Sequence, residues 1–586
     1  MRSSSLVSLT SLTLAALASA TTFLTPDTAQ ACGGTFCDGQ AMPVEQTGEN
    51  ILFVKDGQRV EAHIQIQYNP DTDASQFAWV IPVPTVPEFS VGSQALFDNL
   101  LNGSVPRYGR NVSFTCDDNN FADSTGDSAA SSDGGESGSG DTGGGDPTVV
   151  VQETVGAYDI TVLQGGTVES LMQWLGDNGY TQDPAAEPVF ADYLGKDFLF
   201  VALKLTTNAE VDEIHPIVLT QEGPEVDACI PLLLTAVAAE ENMEVRSFFL
   251  GDHRTVPTNY KHVEVNPLRI DWANNADNYK EVISLAVDHA DAEGRAFVTE
   301  YAGSSDVVND VFVHPDADGN AFNDHATPSQ VAINLLQEWS LMWCNEWEGC
   351  VFNSELLKPI LDEYMPVPEG VNPWDFYDCP ECYAGVANFD LWDGAAFGAK
   401  LEERILEPAR HANLILGENP YLTRLYTTIS PYEMTEDPLF DENADLEDVV
   451  ALRMAQADVQ CDDSVLWTLP GGMQVVSASL GEFPSFPGED PWAMTVEQGT
   501  TVGAPQLLAD TCPQIITAID TQNAKFNFEG HYGECGQNPK AGTDGRFTGD
   551  DDAASSCACT SGQGRPDSGG LLLLGLVGLG LRRRRR

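Results

Sequence analysis

His63-Ile64-Gln65-Ile66-Gln67-Tyr68 alternates polar and apolar side chains without a break. Successive side chains of an extended chain point to opposite faces, so this spacing predicts a half-buried strand. Phe77-Ala78-Trp79-Val80-Ile81 follows and runs into Pro82, Pro84 and Pro87. Proline has no N–H to give to a ladder, so this second segment is predicted as an edge or extended strand. Further along, Thr167 stands where it can cap a helix whose Val168, Leu171, Met172 and Leu175 share one face, with Gly176 and Gly179 ending it. Phe198–Leu205 reads as a strand covered on both faces, and Ile214–Leu219, Ile230–Ala236 and Met243–Leu250 as further strands. Strands and helices intermixed in this way predict an α+β fold of mixed, largely antiparallel sheets with packed helices.

Beyond Gly303 the pattern becomes richer in helices. Thr327-Pro328 reads as N-cap and first turn of a helix carrying Ala332, Leu335, Leu336 and Trp339. A second helix carries Phe397, Leu401 and Ile405 and is expected to stop at Pro408, and strands are expected near Val465–Leu469 and Met473–Leu480. Residues 117–147 are almost wholly Asp, Ser, Gly, Asn and Thr, too polar to offset their ordering entropy, and are predicted to form a disordered acidic insertion. The resulting organisation is a signal peptide at 1–31, a β-rich part at 32–116, the acidic linker at 117–147 and an α+β part at 148–303. A helix-richer domain at 304–536, an acidic spacer at 537–556 and a terminal tail at 557–586 complete it.

Both ends read as addresses. Arg2 precedes an apolar run from Leu6 to Leu17, followed by the small-residue patterns Ala18-Ser19-Ala20 and Ala29-Gln30-Ala31. This is the layout of a secretory signal, with cleavage after Ala20 or after Ala31. The second cut would leave Cys32 first, as in a lipoprotein, although Ala29 stands where that signal carries Leu. At the other end Cys557-Ala558-Cys559 is followed by a Ser/Gly/Pro stretch, an apolar run from Leu571 to Leu581, and Arg582 to Arg586. As a helix the run would span roughly 18 Å at ~1.5 Å per residue, short of a ~30 Å hydrocarbon core. The arginines hold its end at the cytoplasmic face, so it reads as a temporary membrane stop.

The chain holds 28 basic and 89 acidic residues, a formal net charge of −61. Such a surface repels phosphates, which excludes nucleic acid as a partner and leaves solubility, or weak divalent cation binding, as the use of the acidity. No other cofactor is expected. Thirteen cysteines in an exported chain point to disulfides, with Cys32/Cys37, Cys344/Cys350 and Cys379/Cys382 as close local pairs. Eleven precede the tail, an odd number, so at least one is free or modified if they pair only among themselves. Cys379-Pro-Glu-Cys382 could also be redox-active or half of a zinc site, but its Pro- and aromatic-rich loop and the export context favour a bridge.

Signatures of chemistry are few. The sequence carries no GxSxG elbow, HExxH helix, P-loop or Rossmann glycine fingerprint. Gly251-Asp252-His253-Arg254 with His262 and Glu264 is the one compact set that mixes a base with charged partners, and on a strand His262 and Glu264 face the same side. Asp316, Asp318 and Asp324 have calcium-loop chemistry without the EF-hand spacing, and a turn is the plainer reading.

Ala31-Cys32-Gly33-Gly34-Thr35-Phe36-Cys37, Pro43–Glu49, Phe77–Pro87, His215-Pro216-Ile217, Cys229–Leu232, Phe297–Gly303 and Leu422–Pro431 resemble the bacterial secreted family of domain of unknown function 2330 (DUF2330), over roughly residues 31–450. That family has no established activity or catalytic residues to carry over. The terminal Cys motif, apolar run and Arg cluster resemble the myxobacterial (MYXO-CTERM) sorting tail. This resemblance implies recognition of Cys557/Cys559 by a processing enzyme, tail removal and display at the cell surface or outer membrane, with release outside the cell as a variant. The expected partners are therefore the export machinery, that processing enzyme, the membrane through the tail, and an envelope or extracellular partner. The function expected is a noncatalytic envelope binding or structural protein. The alternative is a secreted enzyme, a hydrolase, with a site near His253, His262 and Glu264.

Overall fold

The computed structural model describes residues 46–68, 78–115, 147–180, 182–206, 213–224, 226–325, 327–345, 347 and 349–536. The signal segment, all of the acidic insertion but Pro147, the spacer and the tail lie outside them, and with them Ala31, Cys32, Cys557, Cys559, Leu571, Leu581, Arg582 and Arg586.

The alternation at His63–Tyr68 belongs to an interior strand of a ten-stranded sheet, third from one edge. In chain order its strands are β1 (Gln46–Asp56), β2 (Arg59–Tyr68), β3 (Glu88–Val91), β4 (Ile217–Glu222), β5 (Ala239–Gly251), β6 (Lys261–Val265), β7 (Ala296–Ser304), β8 (Tyr421–Ile429), β9 (Ala493–Gln498) and β10 (Gln506–Asp510). Their spatial order is β10-β9-β6-β7-β8-β5-β1-β2-β4-β3. Only the β1–β5 and β6–β7 pairs are parallel.

One face of the sheet packs on a four-stranded antiparallel sheet ordered Ala78–Val83, Leu199–Leu205, Tyr158–Gln164, Thr148–Val155. Ile51, Phe53 and Ile64 from the first sheet meet Trp79, Ile160, Val201 and Leu203 from the second. The proline-terminated segment is the edge strand foreseen for it: Pro82 stands opposite Phe200 of its one neighbour, and the strand has no partner on its other side. The far face of the small sheet is covered by helices Val168–Asp177 and Glu187–Gly195. Thr167 caps the first, its Oγ1 accepting from Ser170 N at 3.2 Å while Ser170 Oγ accepts from Thr167 N at 2.9 Å.

The other face of the large sheet carries α1 (Gln94–Ser104), α2 (Tyr279–Val287) and α3 (Glu407–Glu418). A third sheet, Gln474–Ser477, Val465–Thr468, Leu452–Val459 and Arg107–Phe114, builds a separate core around Trp467 with helix Cys512–Asn523. Helices concentrate between Gln330 and Glu418, around Phe322, Phe397 and Leu401. There Gly319 and Gly398 cross so closely that a Cβ on either would lie about 2 Å from the other's carbonyl oxygen. The α+β class with largely antiparallel sheets is thus observed.

Three expectations differ. Thr327 and Pro328 are not the N-cap and first turn of their helix, which starts at Gln330 with Ser329 at the N-cap position. Ile230–Ala236 is not a strand but leads into a helical turn at Leu232–Thr235, with Thr235 Oγ1 donating to Pro231 O at 3.2 Å. A short buried apolar run has no period that separates the two states, and Pro231 offers no ladder N–H. Pro408 does not stop its helix. Gly394–Leu401 passes through a π turn at Glu402–Leu406 into α3, and Pro408 occupies the first turn of α3, where no N–H is required of it.

Disulfides join Cys344–Cys350, Cys379–Cys382 and Cys512–Cys535, and Cys461 is bridged as well, while Cys229 is free. The Cys379-Pro-Glu-Cys382 motif is therefore closed on itself. No helix among the described residues is long and apolar enough to cross a membrane.

Candidate functional site

β6 pairs with β7 only at Lys261–Ala296 and His262–Phe297, whereas its ladder with β9 continues to Val265. Beyond His262 the β6–β7 seam is therefore open. A cavity of about 260 Å³ occupies that region, walled by Thr299 of β7, Met494 of β9, Trp272 and Ile270 from the turn after β6, and Tyr108 and Arg453 from the third sheet. Arg254 and Glu534 complete its polar lining, and alternation along β6 brings His262 and Glu264 to the same cavity.

The imidazole of His262 is largely buried, and its Nε2 lies 2.9 Å from Thr299 Oγ1. Arg254 donates from Nη2 to the same oxygen at 3.1 Å. A hydroxyl that accepts from Arg254 has its proton free for Nε2, which leaves the ring proton on Nδ1, 4.0 Å from Glu497 Oε2. Burial, and then the charge of Arg254, push His262 down to about 3, so the ring is neutral near pH 7. Glu264 moves the other way. Its carboxyl is pushed up, first by the protein that crowds it and then by Glu534 and Glu497, although it still meets solvent at the cavity mouth and accepts from Thr495 Oγ1 at 3.2 Å. Arg254 Nε and Arg453 Nη1 are both buried without a hydrogen-bond acceptor. Arg453 is held over the Tyr108 ring and donates from Nη2 to Glu300 O at 3.1 Å.

His253 is not part of this wall. It sits on the exposed turn after β5, where its N–H donates to Glu442 Oε1 at 3.0 Å. Asp318 caps the turn Gly319–Phe322, its Oδ1 accepting from Asn320 N at 2.8 Å, and Asp316 and Asp324 are exposed on either side. Among the described residues one group of His, Cys and acidic side chains lies close enough to share an ion, and it is a different one: Glu61, His63 and His411. Sequence reading missed Arg453, Glu534 and His411 because each reaches its site from a distant element with no local spacing to mark it.

Residues 26–317 match the family model described as an uncharacterized protein conserved in bacteria (DUF2330). The match takes in Glu61, His63, Arg254, His262, Glu264 and Thr299, and ends before His411, Arg453 and Glu534. No curated protein and no solved structure matches the chain.

Proposed function

We propose that this is an exported, surface-displayed binding protein whose cavity beside β6 takes a small molecule bearing a carboxylate. The observation that carries this reading is the convergence of Arg254 and Arg453 on one cavity, each with a buried N–H that no protein acceptor satisfies. Guanidinium groups match carboxylates in a planar fork, and an N–H left unpaired out of water makes an incoming anion more welcome. The aromatic and aliphatic walls supply the apolar remainder of a ligand site, and Glu264 and Glu534 suit an ammonium group on the same molecule. Calorimetric titration of the purified full chain with amino acids and short dicarboxylates should find a binder, and Arg453→Ala should weaken it about 10–100-fold. Equal affinity in the variant would refute this assignment.

One observation favours a hydrolase instead. Thr299 Oγ1, His262 Nε2 and, across the ring, Glu497 Oε2 stand in the order hydroxyl, imidazole, carboxylate. A ring held near 3 is a poor base at neutral pH, and the 4.0 Å gap to Glu497 exceeds a hydrogen bond, so binding is preferred. Turnover of small esters that disappears in His262→Ala would reverse that preference.

The address rests on sequence: the Leu6–Leu17 run with its small-residue cleavage patterns, and the Cys557/Cys559 motif before Leu571–Leu581 and Arg582–Arg586. Mass spectrometry of surface-exposed protein is expected to find a mature C-terminus that lacks the five arginines. Recovery of the intact Arg cluster at the surface would contradict processing.

A further inference from the structure

The sheet face under α3 carries a second constellation of a different chemistry. Alternation along β2 sets Glu61 and His63 on one face, opposite Val54 and Leu52 of β1. Leu52 belongs to the apolar cluster that α3 joins through Ala409, Ala412 and Ile415, and the same helix lays His411 over the two β2 residues. His63 Nε2 lies 2.7 Å from Glu61 Oε1, and His411 Nε2 contacts that same oxygen. The two rings are nearly parallel, at 10° with centroids 5.7 Å apart. Glu61 and His63 side chains are 2% exposed and His411 is 33% exposed, so the group is closed from the sheet side and open past His411.

We propose that Glu61, His63 and His411 form a binding site for a divalent transition-metal ion of the zinc type. Two imidazole nitrogens and one carboxylate oxygen are the borderline donor set such ions prefer, whereas calcium and magnesium need several hard oxygens. The three ligand atoms lie within 4.8 Å of one another. Tetrahedral ligands at about 2.0 Å from zinc are about 3.3 Å apart, so loading requires that the Nε2 atoms draw back from Oε1 by about half an ångström or somewhat more and that the two imidazole nitrogens settle at that same spacing from each other. Half-exposed His411 has room for that movement. Arg59 Nη2 engages the other carboxylate oxygen at 3.1 Å, which leaves Oε1 as the ligand atom. Three protein ligands with an approach past His411 leave a fourth position for water or for a ligand group.

Read as a hydrogen-bond network alone, the cluster is poorly satisfied. Both imidazoles aim at one oxygen, and His63 Nδ1 is buried with no partner. Asn50 Oδ1, buried and likewise unpaired, lies on the same sheet face one diagonal step from His63, since Asn50 is opposite Gln65 and Leu52 opposite His63. A metal on Nε2 moves the ring proton to Nδ1, which turns these two orphans into a donor and an acceptor. Metal-bound histidines ordinarily give that second N–H to such an outer partner.

The test uses the purified full chain, stripped with chelator and titrated with zinc chloride or cobalt chloride. The expected result is one tight zinc site, with cobalt giving the intense visible bands of a tetrahedral histidine-containing site. His411→Ala should lose the bands and weaken zinc by roughly 100-fold, at the top of the ~10–100-fold range of outer-partner changes. His411→Cys, which restores a zinc ligand, should retain binding and confirms that the position folds. Asn50→Ala should weaken zinc about 10-fold. Zinc affinity equal in wild type and His411→Ala, or cobalt bound without those bands, would assign the ion to the acidic surface and overturn the proposal.

Discussion

Arg424→Ala is expected to lower the free energy of unfolding by about 3–5 kcal/mol, the range for removing one member of a buried ion pair. Arg424 lies in β8 near the middle of the large sheet, and its side chain is 4% exposed beside Glu300, at 2%. Its Nε donates to Glu300 Oε2, while Nη1 donates to Leu101 O at 3.2 Å and Ser104 Oγ at 3.4 Å in the last turn of α1. The guanidinium also lies 5.4 Å from the centre of the Phe248 ring. Glu300 in turn accepts from Tyr279 Oη of α2 at 2.7 Å. One cation thus ties two strands and two helices together, and it meets the negative end of the α1 dipole. Alanine would leave the Glu300 carboxylate buried with the Tyr279 phenol as its side-chain hydrogen bond and the Arg246 charge acting on it without contact. The cost lies in the stranded charge rather than in the pair itself. Arg424→Met combined with Glu300→Gln, which removes both charges and keeps an acceptor for Tyr279, is therefore expected to cost less than Arg424→Ala alone. Urea unfolding followed by tryptophan fluorescence measures both. A loss below about 1 kcal/mol in the single variant would show that α1 and α2 dock without this network.

That network also marks where sequence reading ends. The alternation at His63–Tyr68, the Thr167 cap and the paired faces of Leu199–Leu205 are local signals, and each became the element it predicts. His262 and Glu264 were legible as a pair because two positions on one strand share a face whatever the fold around them. Their partners were not. Arg453 and Glu534 arrive from the third sheet and from the end of the described chain, and no periodicity records that kind of closeness. Pro408 shows a subtler limit. Proline breaks a helix whose N–H it removes, but the π turn at Glu402–Leu406 restarts the helix and places Pro408 where no donor is missed. Reading Pro408 as a stop hid α3, and with it His411. The odd cysteine count required an unpaired thiol if the eleven pair only among themselves; among the described residues Cys229 is free, and the count held no information on which residue that would be.

A second large effect is expected on the acid side, where His215 should cost the folded state about 2 kcal/mol by pH 5 and about 4 kcal/mol by pH 3. The ring is 4% exposed, and both nitrogens are committed to one tautomer. Nδ1–H faces Pro216 O at 2.8 Å, and Nε2 accepts from Ala157 N–H at 3.0 Å. Burial is the main force holding this histidine down to about 3, with Arg404 adding repulsion. Geometry gives the same answer. A proton on Nε2 would confront the Ala157 N–H, and no acceptor can be inserted there, because even a Cβ on Gly156 would fall 2.1 Å from Nε2. Gly156 itself sits at φ +59°, a left-handed backbone that suits glycine. Between about 3 and the ordinary 6.5 the unfolded ring binds a proton that the folded ring refuses. Stability therefore rises with pH across that window and is lost as pH falls through it. His262, also held to about 3, adds a second proton of the same sign. Urea midpoints from pH 7 to pH 4 should thus fall less steeply in His215→Gln, whose amide oxygen can still accept from Ala157 but takes up no proton on unfolding. Parallel pH profiles for the two proteins would mean that the folded core accommodates the charged ring, contrary to the fit of Gly156 against it.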